Sequence, residues 1–239
     1  RPDTAAAPNP YRLQRVEDFL ARVGDGLLTL SCRESNIAPD SLLAIDRRRA
    51  EELKAGDASW ITQFERGVSQ ALIKQYTNSV NTYTAAIDRN PSNPFLYFNR
   101  STTRAEMIDF ISSIDNSYQR ITIDSDPANR LNNNSKRTYS YDEAVADLNK
   151  ALKLFPDFAH AYYNRANLQA LSGRLPEAFE DYTKAIGLNP SFAEAYYNRG
   201  IVQIFMKDTR KGCLDLSKAG ELGITEAYEV LKRYAQTQD

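Results

Sequence analysis

Along most of the chain apolar side chains recur every three or four residues, the spacing that gathers them on one face of a helix. Leu13, Val16, Phe19, Leu20 and Val23 follow it, and so do Met107, Phe110, Ile111, Ile114 and Tyr118. Near the end Ala227, Tyr228, Leu231 and Tyr234 share a face, with Glu226, Glu229, Lys232 and Arg233 largely on the other. "PDSLLAIDRRRAEELKAG" predicts a helix with Asp40 or Ser41 near its start and Gly56 past its end. "GLLTLSC", after the turn "GDG", is a short β-prone run, and "YQRITI" is the segment that could pair with it as a strand. "DSDPANRLNNNSKRTYS" is polar, has no period and predicts a mobile loop.

A longer period overlies the helical one. Pro156 and Pro190 close helical patterns 34 residues apart, Pro91 closes another, and "LYFNRS", "AYYNRA" and "AYYNRG" recur at 96–101, 161–166 and 195–200. With the proline at position 32 of a 34-residue unit, the chain divides into 60–93, 94–158, 159–192 and 193–226, the second carrying a ~31-residue insertion. Positions 8, 20 and 27 are Gly67, Ser79, Ala86; Ser101, Ala144, Ala151; Ala166, Ala178, Ala185; and Gly200, Gly212, Ala219. All are small. Small residues where two antiparallel helices cross let them approach at the short end of the usual ~8–10 Å spacing. Position 24 is large throughout (Tyr83, Leu148, Tyr182, Leu216), and position 4 is Tyr97, Tyr162 and Tyr196 after a first-unit Gln63. Each unit therefore reads as helix A, a tight turn and helix B, and stacking buries a core that no unit could make alone. The apolar run after Met107 predicts that helix A of the second unit continues about three turns past the repeat edge.

These residues and spacings resemble the tetratricopeptide repeat (TPR) family over 60–226, with a final helix added. There are two departures: Ile224 stands where the last unit would carry its proline, and Arg66, Arg100, Arg165 and Arg199 hold position 7, where the family usually has Leu. The resemblance implies an all-α, right-handed α-solenoid of helix pairs. Residues 11–58 would be a mostly helical N-terminal cap, 225–239 a capping helix, and 1–10, rich in proline and small residues, a linker from a longer protein. The last repeat and cap resemble the C-terminal end of bacterial multi-repeat envelope proteins, which leans to a bacterial periplasm or cell-envelope setting.

The family also implies a non-catalytic scaffold that binds a polypeptide in the concave groove lined by helices A. Carried onto this chain, position 5 is Phe64, Phe98, Tyr163 and Tyr197; position 6 is Glu65, Asn99, Asn164 and Asn198; position 9 is Val68, Thr102, Asn167 and Ile201. A row of carboxamides, each with donor and acceptor, could pair with successive amides of an extended peptide. Phe98, Asn99, Thr102, His160, Tyr163, Asn164, Asn167, Tyr197, Asn198 and Ile201 are thus the expected groove contacts. A carboxylate clamp, which grips a C-terminus with lysines and asparagines, is not expected. Its positions read Phe64, Val68, Asn99, His160, Asn164 in one register and Phe98, Thr102, Asn164, Glu194, Asn198 in the next. The alternative is an assembly module whose groove is filled by the chain's own N-terminal segment or loop 123–139, binding through its edges or oligomerising. The arginine row is expected to pair with position 23, which is Thr82, Asp147, Asp181 and Asp215.

Charge narrows the partners. With 30 basic and 31 acidic residues and a net charge of −1, the chain lacks the basic surface that a general nucleic-acid binder needs. No apolar run approaches the ~18–20 residues of a membrane span, so direct membrane insertion is not expected. Cys32 and Cys213 read as two free thiols. There is one histidine, His160, and no GxSxG, HExxH, CxxC or P-loop pattern. No catalytic residue, metal or cofactor is expected.

Overall fold

A computed structural model describes residues 39–54, 60–125 and 139–235. Among them lie ten helices and no strand: α1 (Pro39–Lys54), α2 (Trp60–Leu72), α3 (Tyr76–Arg89), α4 (Pro94–Ser125), α5 (Asp142–Leu154), α6 (Ala159–Leu171), α7 (Leu175–Leu188), α8 (Ala193–Phe205), α9 (Thr209–Glu221) and α10 (Glu226–Ala235). Each packs on its sequence neighbours. The A helices α2, α4, α6 and α8 also touch one another in succession, which makes a stack of hairpins.

The turn inside a hairpin repeats in detail. Lys74, Gly173 and Lys207 stand at position 15 of their units with φ of 62°, 76° and 67°. Around each, two backbone bonds close helix A: Gly173 N–H donates to Ala170 O at 3.0 Å and Arg174 N–H to Gln169 O at 2.8 Å, with the same pattern after Lys74 and Lys207. This left-handed C-terminal closure suits glycine and costs a residue with a Cβ. Asp208 then caps helix α9, its carboxylate accepting from the Lys211 N–H.

The small positions do what their size allows. A Cβ on Gly200 would lie 2.8 Å from Gly212 O, and one on Gly212 2.6 Å from Gly200 O, so α8 and α9 touch backbone to backbone. At the same crossings of earlier units serine supplies a bond as well: Ser79 Oγ donates to Gly67 O and Ser101 Oγ to Ala144 O, each at 2.7 Å. The large residue at position 24 fills the gap beside them, with Tyr83, Leu148, Tyr182 and Leu216 all buried. Aromatic rings then join the units. Phe98 packs on Phe158 with centroids 4.7 Å apart, and Tyr163 on Phe192 at the same distance.

Two expectations are corrected. Helix α4 is 32 residues long and runs to Ser125, further than three extra turns, so "YQRITI" is helical and no strand. Of the residues that share the apolar face of α10, Ala227 is buried and Tyr228 is exposed, its ring lying over Gly220. The expected linker 1–10, the helix around Leu13–Val23, "GLLTLSC", Cys32 and most of the polar loop fall outside the described residues; Cys213 is a free, half-buried thiol.

Two substitutions test this geometry with opposite signs. Gly200→Ala should lower unfolding free energy by about 1–3 kcal/mol, because backbone must move to admit the methyl group. Lys207→Gly should raise it by about 0.5–1 kcal/mol by relieving the left-handed residue. Denaturant midpoints of the two variants against the parent check both.

Candidate peptide-binding groove

The arginine at position 7 organises the helix-A face from beneath. Arg100, Arg165 and Arg199 each lay a two-pronged fork on the aspartate of position 23. Arg165 Nε and Nη2 reach Asp181 at 2.6 and 2.7 Å, and Arg199 reaches Asp215 at 2.7 and 2.8 Å. Arg100 holds Asp147 at 2.9 and 2.6 Å, and Arg104 adds a second guanidinium at 2.5 Å. The remaining nitrogen turns to the preceding unit. Nη1 donates to Thr84 Oγ1 at 2.9 Å from Arg100, to Asn149 Oδ1 at 2.7 Å from Arg165, and to Thr183 Oγ1 at 3.1 Å from Arg199. All three acceptors occupy position 25. Below lies the position-4 ring: Tyr97, Tyr162 and Tyr196 sit 5.8, 5.5 and 5.6 Å from their guanidinium carbons. One side chain thus ties helix A to its own helix B and to helix B of the unit before. The Asp181 bond raises the Arg165 pKa above its usual value, so this cation stays charged.

The first unit departs from this scheme in a regular way. It has Gln63 for the tyrosine and Thr82 for the aspartate. Thr82 donates to Gln70 at 2.8 Å instead, and Arg66 turns to Asp46 of α1 at 2.9 Å. Arg49 of α1 pairs with Glu65. Helix α1 is therefore held by ion pairs where a preceding helix B would stand.

The expected contact residues separate into two groups. Phe98, Asn99, Thr102, Tyr163 and Asn164 are buried. Asn99 Nδ2 bonds within its own helix to Phe95 O at 2.8 Å, and Asn164 Nδ2 reaches Thr102 Oγ1 at 3.4 Å. The carboxamide row does not lie open to solvent: Asn99 and Asn164 are 2% and 1% exposed. Their aromatic neighbours exclude water, because the rings of Phe98 and Tyr163 are each covered by the phenylalanine that precedes the next helix A. His160 stacks beside Phe192 with ring centroids 5.0 Å apart. Tyr197 and Ile201 are half-buried against the last-unit core around Leu216 and Ala227.

Asn167 and Asn198 reach the surface together. Asn198 Nδ2 donates to Asn167 Oδ1 at 2.9 Å and to the Tyr163 hydroxyl at 3.1 Å. The Tyr182 hydroxyl donates to Asn167 Oδ1 at 2.5 Å. Burial pushes both tyrosine pKa values up, so both hydroxyls keep their protons. One turn beyond position 9, at position 13, stand two residues not among the expected contacts: Leu171, 62% exposed, and Phe205, 70% exposed. Asn167 and Leu171, like Ile201 and Phe205, are four apart and share a helix face. Position 13 shares a helix face with groove position 9, so an apolar side chain there was the signal. Among the described residues no cluster of His, Cys, Asp or Glu could hold a metal, and no helix is long and apolar enough to cross a membrane.

The comparisons agree with this architecture. Residues 140–173 and 170–204 match a family model described as "TPR repeat". No curated protein matches the sequence. Among solved structures, MamA residues 41 to the end from Desulfovibrio magneticus RS-1 superposes with a TM-score of 0.59 at 14% identity, covering 91% of this chain and 97% of that one. YrrB, a TPR protein with an unusual peptide-binding site, gives 0.56 at 16%, covering 81% and 86%. TTC0263, a thermophilic TPR protein of Thermus thermophilus, gives 0.54 at 15%, covering 83% and 98%. Residues 140–204 thus match TPR repeats, and the described residues have the fold of these TPR structures, an all-α solenoid of helix pairs. Such a fold is that of a protein-interaction scaffold.

The arginine bridge gives its own test. Asp181→Asn leaves a guanidinium largely excluded from water without its counter-charge and should cost about 2–4 kcal/mol. Arg165→Lys keeps the charge but cannot span three acceptors, and should cost about 1–2 kcal/mol. A double-mutant cycle on unfolding free energy should find the two losses far from additive.

Proposed function

We propose that the chain is a non-catalytic scaffold that binds an extended polypeptide on the helix-A face of its third and fourth units. The observation that carries this reading is the exposure of Leu171 and Phe205, two large apolar side chains that lie one helical turn beyond Asn167 and two turns beyond Asn198. Apolar anchors beside carboxamides are what a peptide with alternating side-chain and main-chain contacts would use. Tyr197, Ile201 and His160 line the same face as packed, half-buried walls. That YrrB has a peptide-binding site on a similar fold supports a peptide as the partner.

A second reading suits the first two units. Phe64, Val68, Phe98, Asn99 and Thr102, drawn from their positions 5, 6 and 9, are all buried. That half presents none of these side chains to a ligand and acts as a structural, assembly-bearing part of the molecule. The site that remains for a partner is the C-terminal half.

Selection from a displayed random-peptide library on the whole chain tests the proposal. Leu171→Ser and Phe205→Ser should each weaken the selected peptides about tenfold or more, the scale of one lost apolar anchor. Lys184→Ser, an exposed residue of α7, should leave affinity unchanged. Peptides indifferent to Leu171 and Phe205, or no selected peptide at all, would overturn it.

A further inference from the structure

Helix α4 runs past the edge of the stack. In the other units the chain turns around position 15, but α4 continues beyond that level from Met107 to Ser125, a further ~28 Å at the helical rise per residue. On one side of this extension Asp109 accepts from the Tyr141 hydroxyl at 2.6 Å. The other side carries Met107, Phe110 and Ile111 toward the first unit. Phe110 and Ile111 are exposed, and the Phe110 ring packs on Tyr76 with centroids 5.8 Å apart. With Lys74 and Tyr76 the three apolar residues line an open cleft of about 280 Å³.

The chain that enters α1 comes from the same edge. Arg66 pairs with Asp46 and Arg49 with Glu65, so α1 and α2 run antiparallel. Counting back from these pairs sets Pro39 level with residues 73–75, the turn that forms one wall of the cleft. Helix α1 packs on α2, and α2 on α4. Pro39 and the α4 extension are therefore about two helix spacings apart, ~20 Å. Residues 24–38 join Val23 to Pro39, and a chain of that length reaches up to ~50 Å.

We infer that the amphipathic segment 13–23, which lies outside the described residues, occupies this cleft and packs as a helix along the α4 extension. Leu13, Val16, Phe19, Leu20 and Val23 then cover Met107, Phe110 and Ile111. Both partners carry their apolar residues at the same helical spacing. At eleven residues the segment is ~16 Å long as a helix, within the length of the extension. Charge favours the pairing as well. Arg12, Arg15 and Arg22 flank the apolar stripe of the segment on one side, whereas every charged residue of α4 between Arg104 and Arg120 is an acid: Glu106, Asp109 and Asp115. The tether decides between this occupant and a second copy. A short linker holds the chain's own segment at a millimolar effective concentration, which the same segment from another molecule must exceed. The docked segment belongs to the first two units, and the inference is independent of the groove reading.

Hydrogen exchange on the whole chain tests it. Phe19→Ser with Leu20→Ser should speed exchange of the amides of 107–125 about tenfold or more, as lost burial opens the extension. The amides of 193–221 should keep their parent rates, which shows that the repeats remain folded. Phe110→Ser with Ile111→Ser should have the reciprocal effect on the amides of 13–23, and decides the matter if the first pair of substitutions disturbs 193–221. Parent protection should be the same in dilute and concentrated protein. Rates in 107–125 and 13–23 that ignore the opposite substitutions would overturn the inference. Protection that falls on dilution would overturn it too, and would make a second copy the occupant.

Discussion

The structure depends on what one guanidinium does at position 7. Three of the four units place an arginine so that it forks onto an aspartate of its own helix B, reaches a polar residue of the previous helix B and lies over a tyrosine of its own helix A. Small residues let the helices of a hairpin close, but closeness alone does not fix how far one hairpin slides along the next. The arginine has five donors in a rigid plane, and its acceptors sit on two different helices, so only one register satisfies them. The position-4 and position-5 aromatics then pack in that register, and the groove face is what remains on the other side of helix A.

The repeat geometry was legible because it is written in residue size and type at fixed intervals. Gly200 and Gly212 announced a crossing where backbones touch, and the structure has them within reach of each other's carbonyl. The pairing of Arg165 with Asp181 could be read from two recurring columns. The third partner, position 25, was equally periodic as Thr84, Asn149 and Thr183, but threonine and asparagine on a helix surface carry no signal until a donor is known to face them. Helix α4 outran its expected end because "QRITIDS", 119–125, holds no glycine or proline to break the helix before Ser125.

The site was harder to read, for a physical reason. Position numbers give the direction of a side chain from its helix axis, not whether another ring covers it. Asn99, Asn164 and Asn198 share one direction, but Phe158 and Phe192 come from the loops before the next helix A and close over the neighbouring rings of the earlier units. The last unit has Ile224 at the loop where its proline would stand and no phenylalanine before α10, and there Asn198 reaches the surface. Leu171 and Phe205 belong to the same stripe, and their exposure follows from ending helix A at the turn rather than inside the stack.

The redirected arginine of the first unit bears on how such an array can grow. An inner unit brings an acceptor at position 25 for its successor and an arginine and aspartate of its own, so a duplicate inserted among the inner units meets matching chemistry on both sides. A duplicate of the first unit placed inside would bring Thr82 where its arginine needs an acid, and no Asp46 to replace it. The molecule therefore distinguishes its beginning from its middle in covalent sequence, and tandem duplication is tolerated by its interior while its first hairpin stays unique.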